Sequence, residues 1–125
     1  VIDHQQSAIT YAGLNIPLVG IIGKTFVVIK PTPGSIGETS KKVEVQEHRL
    51  DIAKGDSFFL FTDGFADQFG GKEKKKYSMR RLYQFFEENK EEPLEKVEST
   101  LVEEFYSWIG TGEQIDDVLV LGCRI

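Results

Sequence analysis

Apolar residues come in short bursts over the first sixty positions, each burst closed by a turn-forming residue. Ala8 to Tyr11 and Leu18 to Ile22 read as strands on either side of Gly13-Leu14-Asn15-Ile16-Pro17, and Thr25 to Ile29 as a third after Gly23-Lys24. The spacing predicts an antiparallel meander. Pro31, Pro33, Gly34 and Gly37 then make a loop, because proline lacks the N–H that a helix interior or a central strand requires. Val43 to Ile52 alternates loosely with His48, Leu50 and Ile52 on one side, and predicts another strand. Lys54-Gly55-Asp56 turns the chain into the strand Ser57 to Phe61.

From Ser78 the period lengthens. Met79, Leu82, Tyr83 and Phe86 fall at i, i+3, i+4 and i+7, with Ser78 as the N-cap, so an amphipathic helix is expected. A second begins near Pro93, carries Leu94, Val97, Leu101, Phe105 and Trp108 on one stripe, and ends at Gly110 to Gly112. Val118 to Leu121 is a last strand, preceded by Asp116-Asp117. Strands, a helix pair and one returning strand make an α+β order, with the two helices expected to cover one face of an antiparallel β-sheet. Phe58 to Phe61 and Val118 to Leu121 are so continuously apolar that both strands are expected to be central.

At 125 residues the chain is one domain or part of one, and its opening on Val1-Ile2-Asp3 suggests an excised segment with sequence missing upstream. No signal peptide is expected within this segment, and Leu18 to Ile29 is broken by Gly20, Gly23, Lys24 and Thr25, so no membrane contact by it is expected. A net charge of −5 argues against nucleic-acid binding. Positive charge is nonetheless concentrated at Lys72, Lys74, Lys75, Lys76, Arg80 and Arg81. That run reads as a solvated loop, or as one that borders a phosphate site or docks an acidic surface. A single cysteine, Cys123, rules out an internal disulfide, and a cytoplasmic setting follows as the default.

Asp63 follows one buried strand and Asp116 precedes another. If those strands are antiparallel neighbours, their carboxylates converge at one rim, where they repel unless a cation or a proton intervenes. Oxygen-only ligation favours Mg²⁺ or Mn²⁺. The plainer reading of Asp63-Gly64 is a turn. A haloacid dehalogenase site would need a nucleophilic aspartate where Phe61 stands, and no Gly-x-Ser-x-Gly elbow is present. His4 and His48 sit in strand-like segments, Cys123 reads as a small hydrophobe, and Phe85, Phe86, Phe105 and Trp108 read as helix-face core.

Gly55-Asp56-Ser57-Phe58-Phe59-Leu60-Phe61-Thr62-Asp63-Gly64, with Gln114-Ile115-Asp116-Asp117-Val118 far downstream, resembles the SpoIIE-type branch of the metal-dependent serine/threonine protein phosphatases, the PPM family. Tyr11-Ala12-Gly13-Leu14-Asn15-Ile16-Pro17-Leu18 and Gly34-Ser35-Ile36-Gly37 are similar to further motifs of that family. The resemblance implies an α-β-β-α phosphatase sandwich of which residues 1–125 are the C-terminal portion. It also implies a two-metal Mn²⁺ or Mg²⁺ centre, incomplete in this fragment, whose activated water attacks phosphorus without a protein nucleophile. Asp63 and Asp116 match metal ligands, Asp117 a position that hydrogen-bonds around them, and Gly64 the turn; no residue is assigned to substrate binding. The implied substrate is phosphoserine or phosphothreonine on a partner protein such as an anti-sigma-antagonist-like domain, with a sensor often fused upstream. On this reading the fragment alone is inactive and self-associates, a homodimer being one form. The alternative is a catalytically inactive phosphatase-like interaction or sensor-output module.

Overall fold

The computed structural model describes residues 1–34, 37 and 43–125. Ser35 and Ile36 of the Gly-containing loop singled out above lie outside the described residues. The chain divides into two compact units, one comprising Val1–Leu60 with Gly122–Ile125 and the other Phe61–Leu121.

The first unit is built from strands. β1 (Ile2–Asp3), β2 (Ala8–Tyr11), β3 (Leu18–Ile22), β4 (Thr25–Ile29), β5 (His48–Asp51) and β6 (Ser57–Phe61) precede the helices, and β9 (Val120–Arg124) follows them. They form two sheets, ordered β1-β2-β5 and β4-β3-β6-β9. The meander expectation is therefore corrected: β3 and β4 form a hairpin, but β2 pairs with β5 in antiparallel register, Ile9 opposite Leu50 and Tyr11 opposite His48. The reason lies in the Gly13–Pro17 link. Its backbone bonds to Thr32 through the N–H of Asn15 and the C=O of Gly13, and the Tyr11 hydroxyl donates to the Ile16 carbonyl, so the link bridges to another loop and does not close a hairpin. Ile9, Tyr11, Leu18, Ile29, Ile52 and Phe58 make the apolar core of this unit, with Cys123 packed against it as a half-buried hydrophobe. β5 is shorter than the expected Val43 to Ile52, since regular pairing begins only at His48. Asp56 is buried, and its carboxylate accepts the N–H groups of Gly23 at 2.9 Å and Ala53 at 2.8 Å, tying two turns together.

The second unit carries α1 (Gly64–Asp67), the small hairpin β7 (Phe69–Gly70) with β8 (Lys75–Lys76), α2 (Met79–Glu88) and α3 (Leu94–Ile109). The helix ends fall where local chemistry puts them. The Ser78 hydroxyl accepts from the Arg81 N–H, Pro93 stands immediately before Leu94, and Gly110, at φ 60°, closes α3. α1 was not expected, because its four residues read as a turn. Phe61, Phe65, Leu82, Phe86, Val97, Leu101 and Phe105 are buried, with the Phe65 and Phe105 rings 4.8 Å apart and Phe61 and Phe86 stacked at 5.8 Å.

The architecture is α+β, with antiparallel sheets and, among the described residues, three helices. One further expectation is corrected. β6 is central, between β3 and β9, whereas β9 is an edge strand among the described residues, with Leu119 63% and Leu121 61% exposed. Among the described residues no helix is long and apolar enough to cross a membrane.

Candidate metal centre

Thr62 is the joint of the site. Its N–H donates to the Leu119 carbonyl at 3.0 Å, while its hydroxyl accepts the Leu119 N–H at 3.0 Å and donates to the Asp117 carbonyl at 3.2 Å. Asp63 is one residue beyond Thr62 and Asp116 one residue before Asp117. Asp63 and Asp116 therefore both lie next in the chain to residues that this joint bonds together.

Asp63 stands at the N-cap of α1, where an aspartate usually bonds the first free N–H groups of the helix, yet its side chain makes no cap hydrogen bond. Only its backbone carbonyl serves the helix, accepting the Asp67 N–H at 2.9 Å. Asp63, Asp116 and Asp117 are all exposed. Asp116 Oδ1 accepts the Asp117 N–H at 2.7 Å, and the Asp116 carbonyl accepts from Gln114 Nε2 at 2.8 Å. Asp117 contributes to the joint through its backbone carbonyl. Gly64 is required by that same carbonyl, since a Cβ at position 64 would overlap the Asp117 oxygen. The glycine thus permits a close approach and has no positive φ to supply.

Hard carboxylate oxygens at one end of two joined segments suit Mg²⁺ or Mn²⁺. Among the described residues no group of three or more His, Cys, Asp or Glu side chains is gathered closely enough to hold an ion. The donor set fits part of a metal centre.

Gln68 was not singled out from the sequence. It is fully buried, and its Nε2 donates to the Glu113 carbonyl at 2.9 Å and the Phe69 carbonyl at 3.0 Å, while its Oε1 accepts the Ile115 N–H at 3.2 Å. One amide therefore fastens the loop leading into Asp116 to the end of α1. The local sequence Phe65-Ala66-Asp67-Gln68-Phe69 carries no signal for it, since Gln68 stands beside another polar residue, Asp67. Trp108, expected as core, is half-buried and donates its Nε1–H to the Gln68 carbonyl at 3.0 Å. The Tyr77 hydroxyl donates to Glu104 Oε1 at 3.2 Å. Burial first, and the Glu104 charge and hydrogen bond next, raise Tyr77 far above the usual phenol range, so it acts as a donor and not as a base.

Solved structures share this arrangement of chain. The SiaA-PP2C domain of Pseudomonas aeruginosa superposes with a TM-score of 0.89 at 26% identity, covering 99% of this chain and 49% of that one. The phosphatase domain of the cell fate determinant SpoIIE from Bacillus subtilis matches with a TM-score of 0.68 at 20% identity, over 100% of this chain and 55% of its own. RsbX in complex with magnesium matches at 0.61 and 19% identity, over 97% and 51%. The chain thus spans about half the length of these structures. No curated protein matches it. The family model of Stage II sporulation protein E matches residues 1–125, from one end of the chain to the other, and the chain belongs to the SpoIIE family.

Proposed function

We propose that residues 1–125 are the C-terminal portion of a SpoIIE-type phosphatase domain, and that the complete protein hydrolyses phosphoserine or phosphothreonine on a partner protein. The observation that carries this reading is the Thr62 joint, which sets Asp63 and Asp116 at the same end of two bonded segments in a chain of this family. Asp63 and Asp116 would hold divalent metal together with carboxylates from the upstream part of the domain. A bound pair of Mn²⁺ or Mg²⁺ ions supplies Lewis acidity, acidifying water and neutralising charge that builds on phosphoryl oxygens. The printed descriptions of two solved relatives mention such ions: RsbX is in complex with magnesium, and one structure of the Bacillus subtilis SpoIIE phosphatase domain was presoaked with manganese.

The remaining work falls to this chain's own groups. Thr62 holds the Asp117 carbonyl, Gly64 lets that carbonyl approach, Gln68 anchors the Glu113 to Ile115 stretch, and the Asp117 side chain is free to hydrogen-bond around the ligands. The partner on this reading is a small phosphoprotein such as an anti-sigma-antagonist-like domain, met in the cytoplasm. The exposed Leu119 and, on the edge strand β9, Leu121 fit a surface that the upstream portion covers, and the same surface accounts for the expected self-association of the isolated segment, whose expected inactivity follows from the missing upstream carboxylates.

The experiment is Mn²⁺-dependent hydrolysis of a phosphoserine peptide by the full-length protein and its Asp63→Asn variant. Turnover abolished by the substitution, with the fold retained, supports the reading. A full-length protein without turnover at saturating Mn²⁺ overturns it in favour of a non-catalytic interaction module.

A further inference from the structure

A groove of about 560 Å³ lies within the Phe61–Leu121 unit, lined on its basic side by Lys75, Lys76, Arg80 and Arg81 and including Tyr77 and Trp108. Glu73, Glu88 and Glu104 also line it, and its charges are not used alike. Lys75 pairs with Glu73 at 2.5 Å and Lys76 with Asp67 at 3.0 Å, while Glu88 accepts from Gln84 and Glu104 from Tyr77. The two arginines differ. The Arg81 Cζ lies 4.5 Å from the centroid of the Trp108 ring and 5.3 Å from that of Tyr77, and its nearest carboxylate oxygen, on Glu104, is 3.9 Å away, beyond hydrogen-bonding distance. Among the described residues neither the Arg80 nor the Arg81 guanidinium makes a hydrogen bond. A cation over two aromatic faces is held in place by them, and its planar fork is thereby pre-oriented.

That arrangement costs the protein something. Both arginines fall in the first turn of α2, which has no acidic residue, so their charge opposes the helix dipole. The groove also connects to the proposed metal ligand Asp63: its lining residue Lys76 pairs with Asp67, whose N–H bonds the Asp63 carbonyl one turn of α1 away. We infer that this groove docks an acidic segment of the phosphoprotein partner, Arg80 and Arg81 taking its carboxylates through paired N–H donors beside the phosphorylated side chain. The inference rests on the phosphatase reading for the identity of the partner. Carboxylate is the chemistry that a guanidinium fork recognises best, and the Arg81 fork has only a long ion pair, to Glu104 at 3.9 Å, competing for it. In a chain of net charge −5 such a local cationic site is needed to bring an acidic segment in against overall repulsion.

The test is fluorescence anisotropy with a labelled, unphosphorylated, glutamate-rich peptide and the full-length protein. The Arg80→Ala/Arg81→Ala double variant is expected to weaken binding about tenfold or more, the size of losing one charge-assisted pair. Arg81→Lys should weaken it by a smaller factor, because charge remains while the fork and the stacking are lost. Added salt should weaken binding of the wild-type protein. Asp63→Asn should bind as the wild type does, so loss of phosphopeptide hydrolysis and loss of docking are read separately. Binding by the double variant within about twofold of wild type would overturn the inference, twofold being well under the cost of one such pair. So would equal binding of a neutral Gly/Ser peptide or of duplex DNA.

Discussion

Replacing Gln68 by methionine removes three hydrogen bonds and little volume. The amide is fully buried and bonds the Glu113 and Phe69 carbonyls and the Ile115 N–H, so at a net value of about 1 kcal/mol each the loss is about 3 kcal/mol. Glu113 and Ile115 lie in an exposed stretch, so their freed groups can turn to water, which lowers the expected cost to about 2 kcal/mol. Methionine leaves no orphaned polar atom in the site it fills. Against an ordinary domain stability of about 5–15 kcal/mol the variant stays folded. The damage is local: the loop that carries Asp116 loses its anchor to α1. Hydrogen exchange of the full-length protein reads this directly, and the Ile115 amide should exchange about tenfold faster or more, since each 1.4 kcal/mol is a factor of ten. The apparent Mn²⁺ requirement for hydrolysis should rise in parallel. Unchanged exchange at Ile115, in a variant of wild-type stability, would refute the claim that Gln68 anchors this loop.

Gly64→Ala should destabilise by about 1–3 kcal/mol in a denaturant titration, because the added methyl group meets the Asp117 carbonyl and something must shift; a value near zero would show that the loop yields freely. Asp116→Asn should cost far more phosphatase activity across a Mn²⁺ titration than Asp117→Asn, whose loss should fall within the roughly 10- to 100-fold range of a group acting through the ligands; the reverse order would shift the motif by one residue. The raised pKa of Tyr77 means that the folded state favours the neutral, Glu104-bonded phenol. Its stabilisation is present below about pH 10, the value of an unfolded tyrosine, and is lost as pH rises from there toward the folded pKa. Tyr77→Phe should therefore lower stability at neutral pH and flatten its decline above about pH 10, as followed by thermal melts across that range.

Local order was legible because it rests on neighbours in the chain. The limits of β2, β3, β4 and β6 were predictable from apolar bursts closed by Gly, Asn and Pro, and those of α2 and α3 from Ser78, Pro93 and Gly110. The joint beside Asp63 and Asp116 follows the same logic, since a strand that ends before one acid and a strand that begins after another are neighbours when paired, as Thr62 and Leu119 are. Partner choice was not legible. That β2 joins β5 instead of β3 depends on the Gly13–Pro17 link bonding to Thr32, nineteen positions beyond Gly13, and no local period reports such a contact. The apolar character of Val118 to Leu121 signalled burial but could not say what would provide it, and β9 is an edge. The same limit applies to Gln68, which follows the charged Asp67 and has nothing local to mark it as buried, while only the fold brought Glu113 and Ile115 within reach. The sequence by itself determined the strands β2, β3, β4 and β6 and the helices α2 and α3. The tertiary structure decided what each strand pairs with, which backbone atoms hold the acidic loop, and that Arg81 lies over Trp108, because those are contacts between residues far apart in the chain.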